Sequence, residues 1–70
     1  MQIQVNGELR SFTDGITVQM LLERLKIQPE IVAVELNEVV LPRTRFPETP
    51  LKEGDVVEVV RMVGGGALFP

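Results

Sequence analysis

The sequence contains no cysteine and no histidine, and together these absences remove most self-contained chemistry. Without a thiol there is no thiolate nucleophile and no disulfide, and without imidazole as well there is no ordinary zinc site and no histidine base. Carboxylates remain, but a chain of 70 residues has little room for a pocket that would shift their pKa values. They read as solvated surface charge. Long apolar runs are also missing, since none approaches the roughly 18 residues that a membrane span needs. The opening MQIQVNG has neither the basic nor the apolar segment of an export signal, so the expected location is the cytoplasm. Basic charge is in deficit: seven Lys and Arg stand against ten Asp and Glu, for a net charge of −3. The basic residues are scattered, which leaves no nucleic-acid footprint and points to a protein partner.

What is present is a globular composition, 44% hydrophobic and 24% charged, too apolar to remain disordered. The length allows one domain with a thin core, because so short a chain buries only about 60% of the surface its unfolded form exposes. Residues 2–6, QIQVN, alternate polar and apolar, with Ile3 and Val5 on one face, and Asn6-Gly7 marks a hairpin turn. A returning strand is expected over LRSF, residues 9–12. Thr17 reads as the N-cap of a helix over residues 18–27, with Val18, Leu21, Leu22 and Leu25 at helical spacing. Ile16 and Leu21 fit a hydrophobic staple, although Met20 stands where a capping box has Glu or Gln. The helix must end before Pro29. One so short is marginal alone and has to be held by packing on a sheet.

Residues 31–37, IVAVELN, form a β-branched run that reads as a covered strand, and VVL follows the Asn37-Glu38 turn. The stretch PRTRFPETPLKEGD, residues 42–55, holds three of the five prolines and reads as an irregular crossing segment. Glu53-Gly54-Asp55 turns the chain into the most apolar strand, residues 56–63, which is expected at the centre of the sheet. Strands QIQV and VVEVV are expected to be parallel neighbours, because the residues between them supply the long crossover that parallel pairing requires. After Val63 come Gly64, Gly65 and Gly66, then Ala67 to Pro70. Three adjacent glycines give up more chain entropy on ordering than any other triplet, so they belong in neither helix nor strand. The division expected is a domain over residues 1–63 and a flexible tail over 64–70.

With VNG near the start, TVQMLLERL in the helix, VAVELNEVVLPR in the middle and LKEGDVVEVVRMVGGG at the end, the chain resembles the ubiquitin-like sulfur carrier proteins. Among them it is most similar to the carriers of thiamin biosynthesis. The resemblance covers residues 1–66 and implies an α+β fold of the β-grasp kind, a mixed four- or five-stranded sheet packed on one helix. It implies a carrier rather than an enzyme, with no bound cofactor. The carboxylate of Gly66 would be adenylated by an E1-like partner that uses ATP, and a persulfide from a cysteine desulfurase or another donor would displace AMP. The thiocarboxylate so formed would give its sulfur to thiazole synthase. Gly64, Gly65 and Gly66 are then the segment presented to these enzymes.

A physical reason for glycine at this place stands beside the resemblance. A carboxylate threaded down a narrow channel needs residues without side chains, able to take whatever φ and ψ the channel imposes. From Val63 to Gly66 an extended chain reaches at most roughly 14 Å, enough to cross the wall of a partner's site. The ALFP extension departs from the family pattern: a chain ending in Pro70, behind Phe69, does not fit such a channel. Activation is expected to need cleavage between Gly66 and Ala67. No Ser, Thr, Cys or His lies near that bond, so a separate peptidase, by resemblance a zinc enzyme, is implied. Two other readings stay open: a carrier for molybdopterin, cysteine or methionine synthesis, and a non-conjugating ubiquitin-like interaction module. Asn6-Gly7 and Glu53-Gly54-Asp55 read as turns only, the helical leucines as core, and Arg43, Arg45 and Arg61 as solvated charge.

Overall fold

Alternation in the sequence becomes a sheet with one covered face. The structure, a computed structural model, describes residues 1–62. Strand β1 (Gln2–Val5) buries Ile3 and Val5 and turns at Asn6 and Gly7, with φ of 49° and 85°, into β2 (Glu8–Ser11). Both turn residues therefore have positive φ, as a two-residue hairpin matched to the sheet twist demands. Helix α1 (Val18–Arg24) follows. After a 3₁₀ turn at Pro29–Ile31 come β3 (Val32–Leu36) and β4 (Val39–Leu41), then a longer 3₁₀ segment, Arg43–Glu48, and finally β5 (Val56–Arg61).

The five strands form one mixed sheet in the order β2-β1-β5-β3-β4. Strand β5 is central, parallel to β1 and antiparallel to β3, as its apolar sequence and the long crossover predict. The helix covers one face. Ile3, Val5, Val32, Val34 and Val57 of the sheet, with Val18, Leu21 and Leu22 of the helix, make the core. This is the β-grasp arrangement, with five strands rather than four.

The start of α1 follows the sequence reading. Thr17 Oγ1 accepts the Met20 N–H at 3.2 Å, and Ile16 and Leu21 are both buried. The capping box is closed by sulfur: the Thr17 N–H donates to Met20 Sδ at 3.4 Å. The end of α1 corrects it. The helix stops at Arg24, not at residue 27, because Lys26 takes a left-handed conformation, φ 60°. The Lys26 N–H donates to Glu23 C=O and the Ile27 N–H to Leu22 C=O, at 3.0 and 2.9 Å. That pair of bonds is the Schellman closure, with lysine in the place usually held by glycine.

Smaller corrections concern the strands. Strand β2 spans residues 8–11 rather than 9–12, and Ile31 lies in a 3₁₀ turn, so β3 begins at Val32 and ends at Leu36. The proline-rich crossing is more ordered than expected. Its 3₁₀ segment contains Pro47 and places Phe46 in the core at 1% exposure, and Leu51 is buried beyond it. Backbone bonds from the Val18 N–H to Thr49 C=O and from the Leu51 N–H to Ile16 C=O, both 2.9 Å, tie this crossing to the start of the helix. Among the described residues no helix is long and apolar enough to cross a membrane. The expected domain boundary after residue 63 and the tail over 64–70 lie outside the described residues.

Candidate functional site

The residues singled out in the sequence, Gly64, Gly65, Gly66 and Ala67, lie outside the described residues. The structure does define the point from which they continue. Arg61 is the last residue of the central strand, and Met62 follows it. On one flank β5 is held by β3 along most of its length, from Val57 opposite Leu36 to Arg61 opposite Val32. The Met62 N–H donates to Ile31 C=O at 2.7 Å and extends that support past the strand end.

The other flank is different. Strand β1 meets β5 only at Val56 and Val57, because the chain must turn back at Asn6-Gly7. Two backbone bonds mark this short parallel ladder, from the Gln4 N–H to Asp55 C=O (3.0 Å) and from the Asn6 N–H to Val57 C=O (2.9 Å). Its next rung is made by a side chain. Asn6 Oδ1 accepts the Val59 N–H at 2.7 Å, and Asn6 Nδ2 donates to Val59 C=O at 3.3 Å. An amide side chain has the donor and acceptor of a peptide group, so Asn6 continues β1 by one rung after the backbone has left.

A second asparagine holds the start of β5. Asn37, also left-handed at φ 52°, exchanges bonds with Val56: its Oδ1 accepts the Val56 N–H at 2.9 Å and its N–H donates to Val56 C=O at 2.8 Å. Its Nδ2 donates to Asp55 Oδ1 at 3.1 Å, and Asp55 Oδ2 accepts the Lys52 N–H at 2.8 Å. Asp55, at 6% exposure, is the one buried charged residue among those described, and these partners occupy both of its oxygens. Sequence reasoning treated Asn6, Asn37 and Glu53-Gly54-Asp55 as turns alone. The missed signal is that asparagine both tolerates positive φ and hydrogen-bonds peptide groups.

A cleft of about 410 Å³ opens between the β1–β2 hairpin and the C-terminal end of α1, with Glu8, Arg10, Arg24 and Lys26 among the residues that line it. Arg10 is paired with Glu8 at 3.6 Å, and Arg24 and Lys26 sit where a helix C-terminus favours cations. The arginines in the crossing behave as the sequence reading has them; Arg45 makes an exposed pair with Glu48 at 3.6 Å.

Comparison with known proteins places this scaffold. The model of the ThiS family matches residues 3–66, a match that ends on the third glycine. The sulfur carrier protein ThiS of Thermus thermophilus is 41% identical over 64 residues, covering 91% of this chain and 98% of that one. A thiazole synthase of Paramagnetospirillum magneticum is 36% identical over 67 residues; the match takes in 96% of this chain but only 21% of that protein. The crystal structure of the thiamine biosynthesis protein ThiS from Geobacter metallireducens superposes with a TM-score of 0.83 at 42% identity, covering 94% of this chain and all of that one. With a matching sequence pattern through Gly66 and a matching fold beneath it, the chain belongs to the ThiS family of sulfur carriers.

Proposed function

We propose that the chain carries sulfur on the carboxyl group of Gly66 for thiazole formation in thiamin biosynthesis. The observation that carries this reading is the family match over residues 3–66, which takes in the three glycines. In the first step an E1-like enzyme joins the Gly66 carboxylate to the AMP portion of ATP and releases pyrophosphate. A persulfide supplied by a cysteine desulfurase or similar donor then attacks the acyl carbon, and AMP leaves. A thiol cleaves the S–S bond of the acyl persulfide, leaving the thiocarboxylate on Gly66 and a disulfide on the donor side. The carrier itself offers no cysteine to intercept the sulfur.

Thiazole synthase is the proposed acceptor. Support comes from the Paramagnetospirillum thiazole synthase, one part of which resembles this chain over nearly its whole length. The domain's own task is to hold β5 rigidly, so that whatever follows Met62 starts from a defined point. Residues 67–70 are proposed to be removed between Gly66 and Ala67 by a separate, zinc-dependent peptidase, because Phe69 and Pro70 do not suit a glycine-wide channel.

ATP–pyrophosphate exchange catalysed by the adenylating enzyme of the same organism tests the reading. The 1–66 form is expected to support exchange and the 1–70 form almost none. Equal rates, with the tail confirmed intact by mass, would show that residues 67–70 are no block.

A further inference from the structure

We propose that Asn6 is a positioning residue for the carrier reaction: its side-chain amide fixes β5 at Val59, past the point where β1 has turned away. The inference rests on the sulfur-carrier reading and adds a residue to it. Backbone groups of alternate residues on β5 face opposite flanks. Val56 C=O meets the Asn37 N–H and the Met62 N–H meets Ile31 C=O, so even-numbered residues face β3. Odd-numbered residues face β1: Val57 C=O receives the Asn6 N–H, and the groups of Val59 point to where β1 has already turned away. The Asn6 amide meets both of them, at 2.7 and 3.3 Å. Among the described residues it is the last hydrogen bond β5 receives from the β1 side, three residues before Met62. Without it, the final four residues of β5 would be flanked by β3 alone.

Side-chain length and conformation both select asparagine here. The turn demands φ of 49° at this position, which asparagine accepts more readily than most residues. Aspartate would still accept the Val59 N–H but would set a carboxylate oxygen against Val59 C=O. Glycine would keep the turn and lose both bonds, which separates the clip from the turn.

The experiment compares wild type, Asn6→Gly and Asn6→Asp in the 1–66 form, which keeps every element of the fold. Amide hydrogen exchange and ATP–pyrophosphate exchange with the adenylating enzyme are both followed. In Asn6→Gly the Val59 amide is expected to exchange about tenfold faster, the loss of one hydrogen bond, while Val34 and Val57 stay protected. The KM for the carrier should rise about five- to tenfold with kcat within about twofold, because a looser tail origin weakens binding and leaves the chemistry of the bound state unchanged. Asn6→Asp should fall between, with Val59 protection largely kept. Unchanged Val59 protection in Asn6→Gly, unchanged KM despite lost protection, or a fall in kcat at constant KM would each overturn the role of Asn6. Absence of exchange with the wild-type form would instead overturn the carrier reading, and this role with it.

Discussion

Glu38 sits at φ 70° in the second position of the β3–β4 turn, where a side chain crowds the backbone at a cost of about 1–2 kcal/mol. Glycine relieves that strain but gains freedom in the unfolded chain, worth about 0.4–1 kcal/mol. Glu38→Gly is therefore expected to stabilise the fold by about 0.5 kcal/mol. The hairpin at the other edge gives the opposite case. Gly7, at φ 85°, would meet nothing within 4 Å if given a Cβ, so Gly7→Ala should cost about 1 kcal/mol from backbone strain alone. Urea unfolding reads both as shifts of the midpoint at constant m-value, and a stabilised Gly7→Ala protein would contradict the turn geometry. The two turns also show what is legible at this scale. Asn6-Gly7 announces itself because both residues favour positive φ, whereas Glu38 and Lys26 adopt the same conformation with no such preference. The turn at Asn37-Glu38 is still legible through its asparagine, whereas nothing local marks Lys26 and a local reading passes over it.

Among the elements, α1 has a well-marked beginning and an unmarked end. Thr17, Ile16 and the spacing of Val18, Leu21 and Leu22 give the first turn in sequence. The termination at Lys26 leaves no trace there, which is why Pro29 draws the expected boundary too far along. Phe46 and Leu51 were hidden for a related reason: an irregular segment buries side chains without a repeat to reveal them. The first turn of α1 carries no acidic residue, and its capping box relies on the Met20 sulfur, a weak acceptor. Met20 is 44% exposed, so Met20→Glu loses little packing. It supplies a carboxylate to the Thr17 N–H and a negative charge at the positive end of the helix. The expected gain is about 0.5 kcal/mol, measured as a higher urea midpoint that shrinks when added salt screens the charge. No change at low salt would mean that the sulfur already satisfies the cap.

At the scale of the whole molecule, sheet order follows from a few constraints: an apolar final strand, an opening hairpin, and a crossover long enough to make the two parallel. Those were readable; the glycines read as the candidate site, Gly64 to Gly66, lie outside the described residues. The two asparagines that hold β5 in register were not readable, because their side chains reach residues far away in sequence, from Asn6 to Val59. We propose that the domain serves as a mount for the glycines that follow it, with sulfur carried on Gly66. The most direct test is the intact mass of this protein isolated from its native host grown without thiamin. The expected species ends at Gly66 and is heavier than the plain 1–66 chain by the difference between one sulfur and one oxygen, the excess lost on alkaline hydrolysis. Finding only chains that retain residues 67–70, or chains ending at Gly66 that never carry sulfur under that starvation, would contradict it.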